Sequence, residues 1–472
     1  MDERRSKNTP LPLPDLGALG GGPYENCFTL SAMISAVSEQ SRRFPLTIIA
    51  WRHLIGSAKS RSRTVRDGNG GVIVAIRLQQ RIFSKIHLGV ASTALMLVVV
   101  LGSGLGITQS AQAETFKTLY NFAGSSDGGD PYASLIQDAA GNLYSTADYG
   151  GTSFAGVVFK VAPDGTETVL YSFTGGADGA YPFSALVQDK AGNLYGTTSQ
   201  GGSANAGVVF KVDPSGTETV LHNFTGGADG VIPTGGLLRD HAGNLYGTTS
   251  QGGSSNYGVL FKINTRGKET ILHTFTGGVD DGGYPNYTSL LMDAQGTIYG
   301  VTQLGGTAAD GIVYKLSKSG ELTVLHSFTG GTTDGCNVLG TPFMDKDGNI
   351  YGTTSSCGAS TLGTVWKLSA NGEETVLHSF TGGSSDGEYP LAGVIMDAKG
   401  NLYGNTETGG ASNVGTVYKV SKNGKLTLLH SFDGTDGKYP YGSFVQNAEG
   451  TLFGTTQNGG TIGYGTVWEI IK

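Results

Sequence analysis

Four short phrases recur along residues 114–472, and this repetition limits the fold more than any other feature. A phrase GNLYG, or a close variant, begins at seven glycines that stand 50 to 53 residues apart. A phrase similar to SLIQD precedes each of them, one similar to GVVFKV follows each, and one similar to TVLHSF lies between repeats six times. Repeats of this length are typical of propellers and solenoids. The GNLYG phrases begin at Gly141, Gly192, Gly243, Gly296, Gly348, Gly400 and Gly450.

Each phrase has the composition of a β-strand. The phrases are rich in β-branched and aromatic residues and are bounded by Gly, Asn, Asp or Ser. Tight links such as residues 189–193 join the first and second strands, and links such as 213–216 join the third and fourth. Glycine in these links suits hairpin turns. Four antiparallel strands per repeat form the blade of a propeller. The sequence therefore predicts an all-β, seven-bladed β-propeller of four-stranded antiparallel blades over residues 114–472.

The count of phrases predicts how the ring closes. Six TVLHSF phrases lie between repeats, and a seventh, TFKTLYNF, stands at residues 115–122. The chain ends on a third-strand phrase that begins at Gly465 and has no fourth strand after it. We therefore predict that the N-terminal strand, about 115–122, completes the last blade and removes an exposed sheet edge.

Composition excludes several other classes of protein. The chain has 78 Gly but only 14 Pro, which does not fit collagen. Only 15% of residues are charged and 40 are Phe or Tyr, which argues against a disordered chain. Residues 114–472 hold 18 Lys and Arg against 32 Asp and Glu. An acidic body disfavours nucleic acid as a partner, because phosphate binding needs a basic surface. We expect a monomer without a nucleic-acid partner.

Residues 77–113 are predicted to be a signal peptide. Arg77, Arg81 and Lys85 precede an apolar stretch at 88–101, and a small-x-small site at 111–113 precedes Glu114. The alternative is an uncleaved membrane anchor, since residues 88–113 carry no charge and are long enough to span. The Gly, Ser and Gln content of the second half favours cleavage. We expect a secreted protein, extracellular or periplasmic, with no membrane span after cleavage.

Seventy-six residues precede this leader, although a signal peptide normally begins a chain. They contain Pro-rich and Arg-rich stretches without a periodic pattern. We expect residues 1–76 to be a disordered, non-native extension that results from a start site assigned too far upstream.

The repeats resemble the GloVer tandem repeat of "choice-of-anchor" bacterial surface proteins. The resemblance is carried by the motif D-x-x-GNLYGTT-x-x-GG, then G-x-V-[FYW]-K, then T-x-L-x-x-F-x-G, across residues 114–472. It implies an extracellular location and no assigned activity. Members of this family often carry a C-terminal anchor, whereas this chain stops at Lys472 after the last strand phrase, so we expect free secretion.

Positions that differ between repeats are the candidates for a ligand site. The fourth-to-first and second-to-third links are longer than the hairpins and should share one face, where binding usually resides. Two columns at the end of the second strand vary and are mostly polar. The alternative is that they are ordinary solvated loops. The first column is Asp148, Ser199, Ser250, Gln303, Ser355, Glu407 and Gln457, and the second is Tyr149, Gln200, Gln251, Leu304, Ser356, Thr408 and Asn458.

Aromatic residues follow the Tyr-Pro dipeptides on the same face. Phe183, Leu391 and Tyr441 stand there, and Tyr132 fills the matching position of the first repeat. Aromatic rings at these positions could stack on a sugar ring. The alternative is that they pack between blades.

The histidines do not fit a catalytic triad or a metal site. Five of them share one repeated strand position with Tyr120 and Tyr171, which is typical of a packing position with a polar tip. None is singular, as a catalytic base would be, and five copies on five blades cannot converge on one metal ion. We expect no metal ligands among His222, His273, His326, His378 and His430, nor at His241 in a turn.

Acidic residues offer two further hypotheses. Asp residues in the GGxDG loops would be either calcium ligands in each blade or Asp-Gly turns. Asp148 and Glu407 are acidic in an otherwise neutral column and are the candidates for a carboxylate pair, which glycoside hydrolysis needs about 5–10 Å apart. Apart from calcium, we expect no cofactor. The loop residues are Asp127, Asp178, Asp229, Asp334, Asp386 and Asp436.

Cys336 and Cys357 are the only cysteines after the leader. They stand at the start of the first strand and just past the end of the second strand of one blade, where an antiparallel hairpin brings the chains side by side. Secretion permits oxidation, so we predict a disulfide. The alternative is a reactive thiol.

We expect a non-catalytic binding or interaction module for extracellular glycan or protein. The alternative is a polysaccharide hydrolase or lyase with carboxylates on the long-loop face. The sequence favours the first, because few charged residues break the repeat.

Overall fold

The computed structural model describes residues 63–66, 72–75 and 114–471. Two short strands, Arg63–Arg66 and Val72–Ala75, pair antiparallel with each other. They lie within residues 1–76, for which the sequence predicts disorder, so paired strands occur inside that segment. The rest of residues 1–76 and the leader at 77–113 lie outside the described residues, and the signal peptide stays a prediction.

Residues 114–471 form seven four-stranded antiparallel sheets. Each sheet contains one copy of each repeated phrase, and successive sheets follow one another along the chain. This confirms the all-β fold and the seven-bladed β-propeller. Within the described ranges the structure contains no helix long and apolar enough to cross a membrane.

The strands repeat with nearly constant length, except in blade five. First strands are Ile136–Gln137, Val187–Gln188, Leu238–Arg239, Leu291–Met292, Gly335–Met344, Ile395–Met396 and Val445–Gln446. Second strands are Leu143–Ala147, Leu194–Thr198, Leu245–Thr249, Ile298–Thr302, Ile350–Cys357, Leu402–Thr406 and Leu452–Thr456. Third strands are Val157–Val161, Val208–Val212, Val259–Ile263, Ile312–Leu316, Thr364–Leu368, Thr416–Val420 and Thr466–Ile471. Fourth strands are Glu167–Ser172, Glu218–Asn223, Glu269–Thr274, Leu322–Ser327, Glu374–Ser379, Leu426–Ser431 and, for blade seven, Thr115–Asn121. Two-residue strands also pair Gly282–Gly283 with Leu304–Gly305 and Gly387–Glu388 with Thr408–Gly409.

The N-terminal strand closes the ring as predicted. Thr115–Asn121 pairs antiparallel with Thr466–Ile471, from Thr115 opposite Ile471 to Asn121 opposite Thr466. The last blade therefore combines the first and last strands of the propeller, and Thr466–Ile471 is paired on both sides instead of forming a free sheet edge.

The core lies between neighbouring blades. The Phe that follows each fourth strand packs edge-on against the aromatic side chain in the third strand of the next blade, with ring centroids 5.0 to 6.1 Å apart. Phe173 against Phe210 is one such pair, at 5.1 Å. The second strand leaves room for this ring because a Cβ on Gly196 would lie 2.6 Å from Phe210 Cζ. The glycine of the LYG phrase therefore makes room for this ring in six blades, whereas blade one has Ser145 opposite Phe159.

The hairpin face is held by the aspartate that precedes GNLYG. Asp189 accepts hydrogen bonds from the backbone N–H of Ala191 and Asn193, the Asn193 side chain and the Tyr195 hydroxyl, at 2.8 to 3.0 Å. Burial raises the pKa of Asp189, but these hydrogen bonds outweigh it and hold the pKa below its ordinary value. The repeated D-x-x-GNLYG motif thus encodes a turn rather than a ligand site.

Blade five differs from the other six at the start of its first strand. The others have a proline there, which cannot donate to a ladder, and blade five has Val338, which is paired with Thr354. Its first strand consequently runs for 10 residues instead of two. Cys336 and Cys357 lie on these longer strands and form a disulfide with a Cα–Cα distance of 5.4 Å.

Candidate functional site

One residue from each blade surrounds a cavity at the centre of the long-loop face. Six of these residues lie just before the first strand of their blade, and Leu339 lies within the longer first strand of blade five. The cavity has a volume of about 270 Å³. We call these seven residues the channel mouth: Tyr132, Phe183, Thr234, Tyr287, Leu339, Leu391 and Tyr441.

The inner segments of neighbouring blades approach closely around this cavity. A Cβ on Gly442 would lie 2.7 Å from the carbonyl oxygen of Ala133, in the next blade of the closed ring. Thr455 Oγ1 also donates a hydrogen bond to the same carbonyl at 3.4 Å. The cavity is small because the backbones themselves are nearly in contact.

Four aromatic rings form an arc around the channel mouth. Tyr441 and Tyr132 have ring centroids 4.8 Å apart, Tyr132 and Phe183 5.2 Å, and Phe183 and Tyr287 6.3 Å. The three aromatic residues singled out in the sequence therefore pack against one another and also line the cavity. Packing between blades and contact with a ligand, the two interpretations of these residues from the sequence, are therefore compatible.

Tyr287 belongs to this arc, and sequence reasoning missed it. Blade four has one more residue between its proline and its first strand, so Asn286 directly follows Pro285 and the aromatic ring comes one position later. Its side chain is 52% exposed. The longer 53-residue spacing between Gly243 and Gly296 was the signal that could have revealed it.

Polar side chains of the first column bind the tyrosine hydroxyls of the arc. The Tyr441 hydroxyl donates a hydrogen bond to Glu407 Oε1 at 2.6 Å. Gln457 Nε2 donates to the Tyr132 hydroxyl at 2.7 Å. Both bonds cross from one blade to the next, so these groups orient the aromatic rings from beside the cavity.

Other column residues are engaged in contacts within the loops. The serines of the first column donate to backbone carbonyls, and two amides bind loop side chains. These bonds run from Ser199 Oγ to Tyr181 O at 3.1 Å, Ser250 Oγ to Ile232 O at 2.6 Å, Asn286 Nδ2 to Gln303 Oε1 at 3.0 Å, and Asn458 Nδ2 to Asp130 Oδ1 at 2.8 Å.

Tyr149, Gln200 and Gln251 do not line the cavity. Their backbones form isolated bridges with the preceding loop, as Gln200 does with Ala180. The Tyr149 ring lies parallel to that of Tyr464 at 5.9 Å. The second column therefore shapes the loops around the mouth and does not face a ligand in the cavity.

Asp148 has the most perturbed carboxyl group of the site. Burial, together with the nearby charge of Asp130, raises the pKa of Asp148 to about 8. Its Oδ1 is buried and has no hydrogen-bond partner among residues 114–471. Burial raises the pKa of Tyr132, and the charges of Asp148 and Glu407 add to that effect. The two acidic outliers thus act on the same tyrosine, although blade seven lies between their own blades.

The loop aspartates hold the ends of the fourth strands. Asp178 accepts hydrogen bonds from the Tyr171 hydroxyl at 2.9 Å and from Thr174 through its backbone N–H at 2.7 Å and its hydroxyl at 2.5 Å. These bonds form the Asp-Gly turn that is one of the two interpretations of these aspartates from the sequence. Calcium itself stays an untested alternative.

Two histidines meet both an aspartate and a glutamate. The clusters are His222, Asp229 and Glu269, and His326, Asp334 and Glu374. The sequence excludes a metal ion shared by the five histidines, but each histidine can also meet carboxylates. Sequence reasoning missed the glutamates because they stand in the following repeat.

This architecture defines a seven-bladed β-propeller with an aromatic-lined axial cavity on its long-loop face. The chain belongs to the Gloeobacter/Verrucomicrobia repeat family, whose model matches residues 102–293 and 286–471. This agrees with the family resemblance seen in the repeats.

Solved propellers match at low identity. A gluconolactonase from Xanthomonas campestris is 14% identical, with 77% of this chain and 93% of that chain covered and a TM-score of 0.41. Regucalcin, a calcium-binding protein from Agrobacterium tumefaciens, is 13% identical, with 76% and 93% covered and a TM-score of 0.36. No curated protein matches the sequence. At these identities and TM-scores neither activity is transferred to this chain.

Proposed function

We propose that this chain is a secreted binding protein whose channel mouth takes a sugar ring of an extracellular glycan, without catalysis. The arc of four aromatic rings around the cavity carries the proposal. Aromatic rings supply large apolar faces on which the C–H face of a sugar can pack. Ligand pockets commonly combine such faces with a few placed polar groups.

The polar groups beside the arc suit the hydroxyls of a sugar. Glu407 and Gln457 hold the hydroxyls of Tyr441 and Tyr132, whose rings line the cavity. A cavity of about 270 Å³ lies near the lower limit of ordinary ligand pockets. The proposed ligand is therefore a single ring or the end of a chain rather than an internal stretch of polymer.

A glycan array probed with the full chain, followed by titration of the best ligand, tests the proposal. We expect Tyr132→Ala to weaken binding by at least about tenfold, as removal of a central aromatic contact does. Phe154→Ala is the matched control, because Phe154 is an exposed aromatic residue of a loop that does not line the cavity. Equal effects of the two substitutions, or an array without any bound glycan, would contradict the proposal.

A second candidate is a polysaccharide hydrolase or lyase that uses the same mouth. The raised pKa of Asp148 favours it, because a carboxyl that stays protonated near neutral pH can act as a general acid. Glu407 would be the second carboxylate. If the array ligand is cleaved, and Asp148→Asn and Glu407→Gln each abolish turnover while binding persists, the enzyme replaces the binding module.

A further inference from the structure

A repeated contact joins the fourth strand of every blade to the loop that follows it. In all seven blades an aspartate of the loop faces a tyrosine or histidine at the same position of the strand. We call each contact an outer clasp. The pairs are Tyr120 with Asp127, Tyr171 with Asp178, His222 with Asp229, His273 with Asp281, His326 with Asp334, His378 with Asp386, and His430 with Asp436.

A third residue reaches the clasp from the next blade. Glu269 Oε1 lies 3.6 Å from His222 Nε2, and the Phe116 ring stacks on His430 with centroids 3.7 Å apart. Glu269 and Phe116 each pair with a residue near the end of the third strand of their own blade. Every blade has one residue at this register position. These residues are Glu167, Glu218, Glu269, Leu322, Glu374, Leu426 and Phe116.

The histidine clasps differ according to that third residue. Where it is Leu or Phe, the histidine Nε2 is hydrogen-bonded to the aspartate, at 3.0 Å for His273, 3.3 Å for His378 and 2.7 Å for His430. Where it is Glu, the separation from the aspartate is 3.9 Å for His222 and 3.7 Å for His326. His222 lies between two carboxylates, and neither its Nε2 nor that of His326 is hydrogen-bonded to one.

Both histidine clasps that contain a glutamate leave polar atoms buried and unpaired, and Oε1 of Glu167 and of Glu218 in the two tyrosine clasps is likewise buried without a partner among residues 114–471. Nε2 of His222 and of His326 has no hydrogen-bond partner in the part of the chain that the structure describes, and neither has Oε1 of Glu269 or Glu374. Unpaired buried polar groups are unfavourable. Each pair of atoms therefore points to something that would sit between them.

The spacing of the three groups suits a metal ion. One ligand atom from each residue lies within 4.8 Å of the others in both clusters. Ligands about 2.1 Å from a zinc ion, at tetrahedral to trigonal angles, stand about 3.4–3.6 Å apart. The 3.6 and 3.9 Å separations at His222 need shifts of only a few tenths of an ångström.

The chemistry of the ligands also suits a divalent cation. An imidazole binds zinc through the lone pair of one ring nitrogen, and each cluster offers one imidazole. A doubly charged cation would balance both carboxylates, and one imidazole with two carboxylates is a ligand set that zinc accepts.

We propose that the outer clasps formed by His222, Asp229 and Glu269 and by His326, Asp334 and Glu374 bind one Zn²⁺ each. The ions would join blade two to blade three and blade four to blade five. The ligand atoms come from two blades, so bound metal would stabilise the folded ring over the unfolded chain.

Titration of the purified, metal-stripped full chain with ZnCl₂, in the presence of a competing chelator, tests this directly, with bound zinc counted by native mass spectrometry. The two clusters predict two tightly bound ions in the wild type. Glu269→Leu should lose one ion, and Glu269→Leu with Glu374→Leu should lose both. Blades four and six already carry Leu322 and Leu426 at this register position, so these variants should keep the fold.

A gain of function makes the test sharper. Leu322→Glu recreates the cluster at His273 and Asp281 and should add one ion. Circular dichroism confirms folding, and Glu269→Gln, which keeps the shape of the side chain, replaces the leucine variant if that one misfolds. Absence of tight zinc in the wild type, or an unchanged zinc count in the double variant, would overturn the proposal.

Discussion

The outer clasps and the channel mouth are built from the same seven repeats, yet they vary in opposite ways. Every outer clasp has an aspartate facing a histidine or tyrosine. The channel mouth has Tyr, Phe, Thr, Tyr, Leu, Leu and Tyr at its seven equivalent positions. A framework that repeats around a ring needs the same contact at each interface, whereas an axial cavity presents all seven positions to one ligand. The repeated positions should therefore govern stability, and the varied positions should govern binding.

The closing strand is the strongest test of the framework side of this comparison. Deletion of residues 115–121 opens the ring and leaves Thr466–Ile471 without a partner. We expect a loss of more than about 5 kcal/mol in the free energy of unfolding, comparable with the whole stability of many domains. Urea denaturation measures it. Replacement of the segment by a copy of residues 166–172, the matching strand of blade one, should restore most of the stability, and an unchanged midpoint in the deletion would contradict ring closure.

The disulfide tests whether the exceptional blade belongs to the framework. Cys336→Ala with Cys357→Ala removes a bridge between residues 21 positions apart. In the loop-entropy model the loss is about 3 kcal/mol in the free energy of unfolding. Thermal unfolding under non-reducing conditions measures it, with the wild type in reductant as a second comparison. If the double variant is as stable as the wild type but binds ligand more weakly, the disulfide serves the channel mouth rather than the framework.

Loss of a single outer clasp should lower the free energy of unfolding less than loss of the closing strand or of the disulfide. Asp178→Ala removes three hydrogen-bond acceptor contacts, and we expect a loss of about 2 kcal/mol. Asp347→Ala is the control, because Asp347 is an exposed turn residue whose side chain contacts Lys346. If both variants melt at the same temperature, the repeated aspartates are not part of the framework.

A further effect on stability should come from Asp148, at the end of the second strand of blade one, and should depend on pH. The pKa of Asp148 is about 8 in the folded chain, above the ordinary 3.8. The stability that its protonated form contributes is complete below pH 3.8 and is lost as pH rises through 8. Asp148→Asn should therefore be more stable than the wild type at pH 9, by about 1–3 kcal/mol, and less different at pH 5. Denaturation curves at pH 5, 7 and 9 measure this, and parallel pH profiles would show that Asp148 does not have a raised pKa.

Local phrases were sufficient for the framework. The strands around Asp189 and Tyr195 are neighbours in sequence, and their turn is held by bonds within seven residues. Ring closure followed from counting the phrases. The last third-strand phrase has no fourth-strand phrase after it, so its partner strand must come from elsewhere in the chain. Pairing between strands that are close in sequence can be predicted from a single sequence. The blade number, strand order and ring closure were therefore all predicted correctly.

The candidate functional site could be predicted from the sequence only in part. Asp148, Glu407, Tyr132, Phe183 and Tyr441 could be chosen because they vary within a repeat. The contacts among these side chains could not be predicted, since Gln457 and Tyr132 are 325 residues apart in the sequence. The same holds for the glutamates of the outer clasps, which act in the interface with the preceding blade.

The sequence by itself determined seven blades, their strands, their hairpins and the strand that closes them, because each depends on residues that are close along the chain or on a count. Only the tertiary structure decided that four aromatic rings meet around one axial cavity, that Oδ1 of Asp148 is buried without a partner among residues 114–471, and that Glu269 lies beside His222. Closure of the ring brings residues of different repeats together, and both the burial and the electrostatics of these groups arise from that long-range packing.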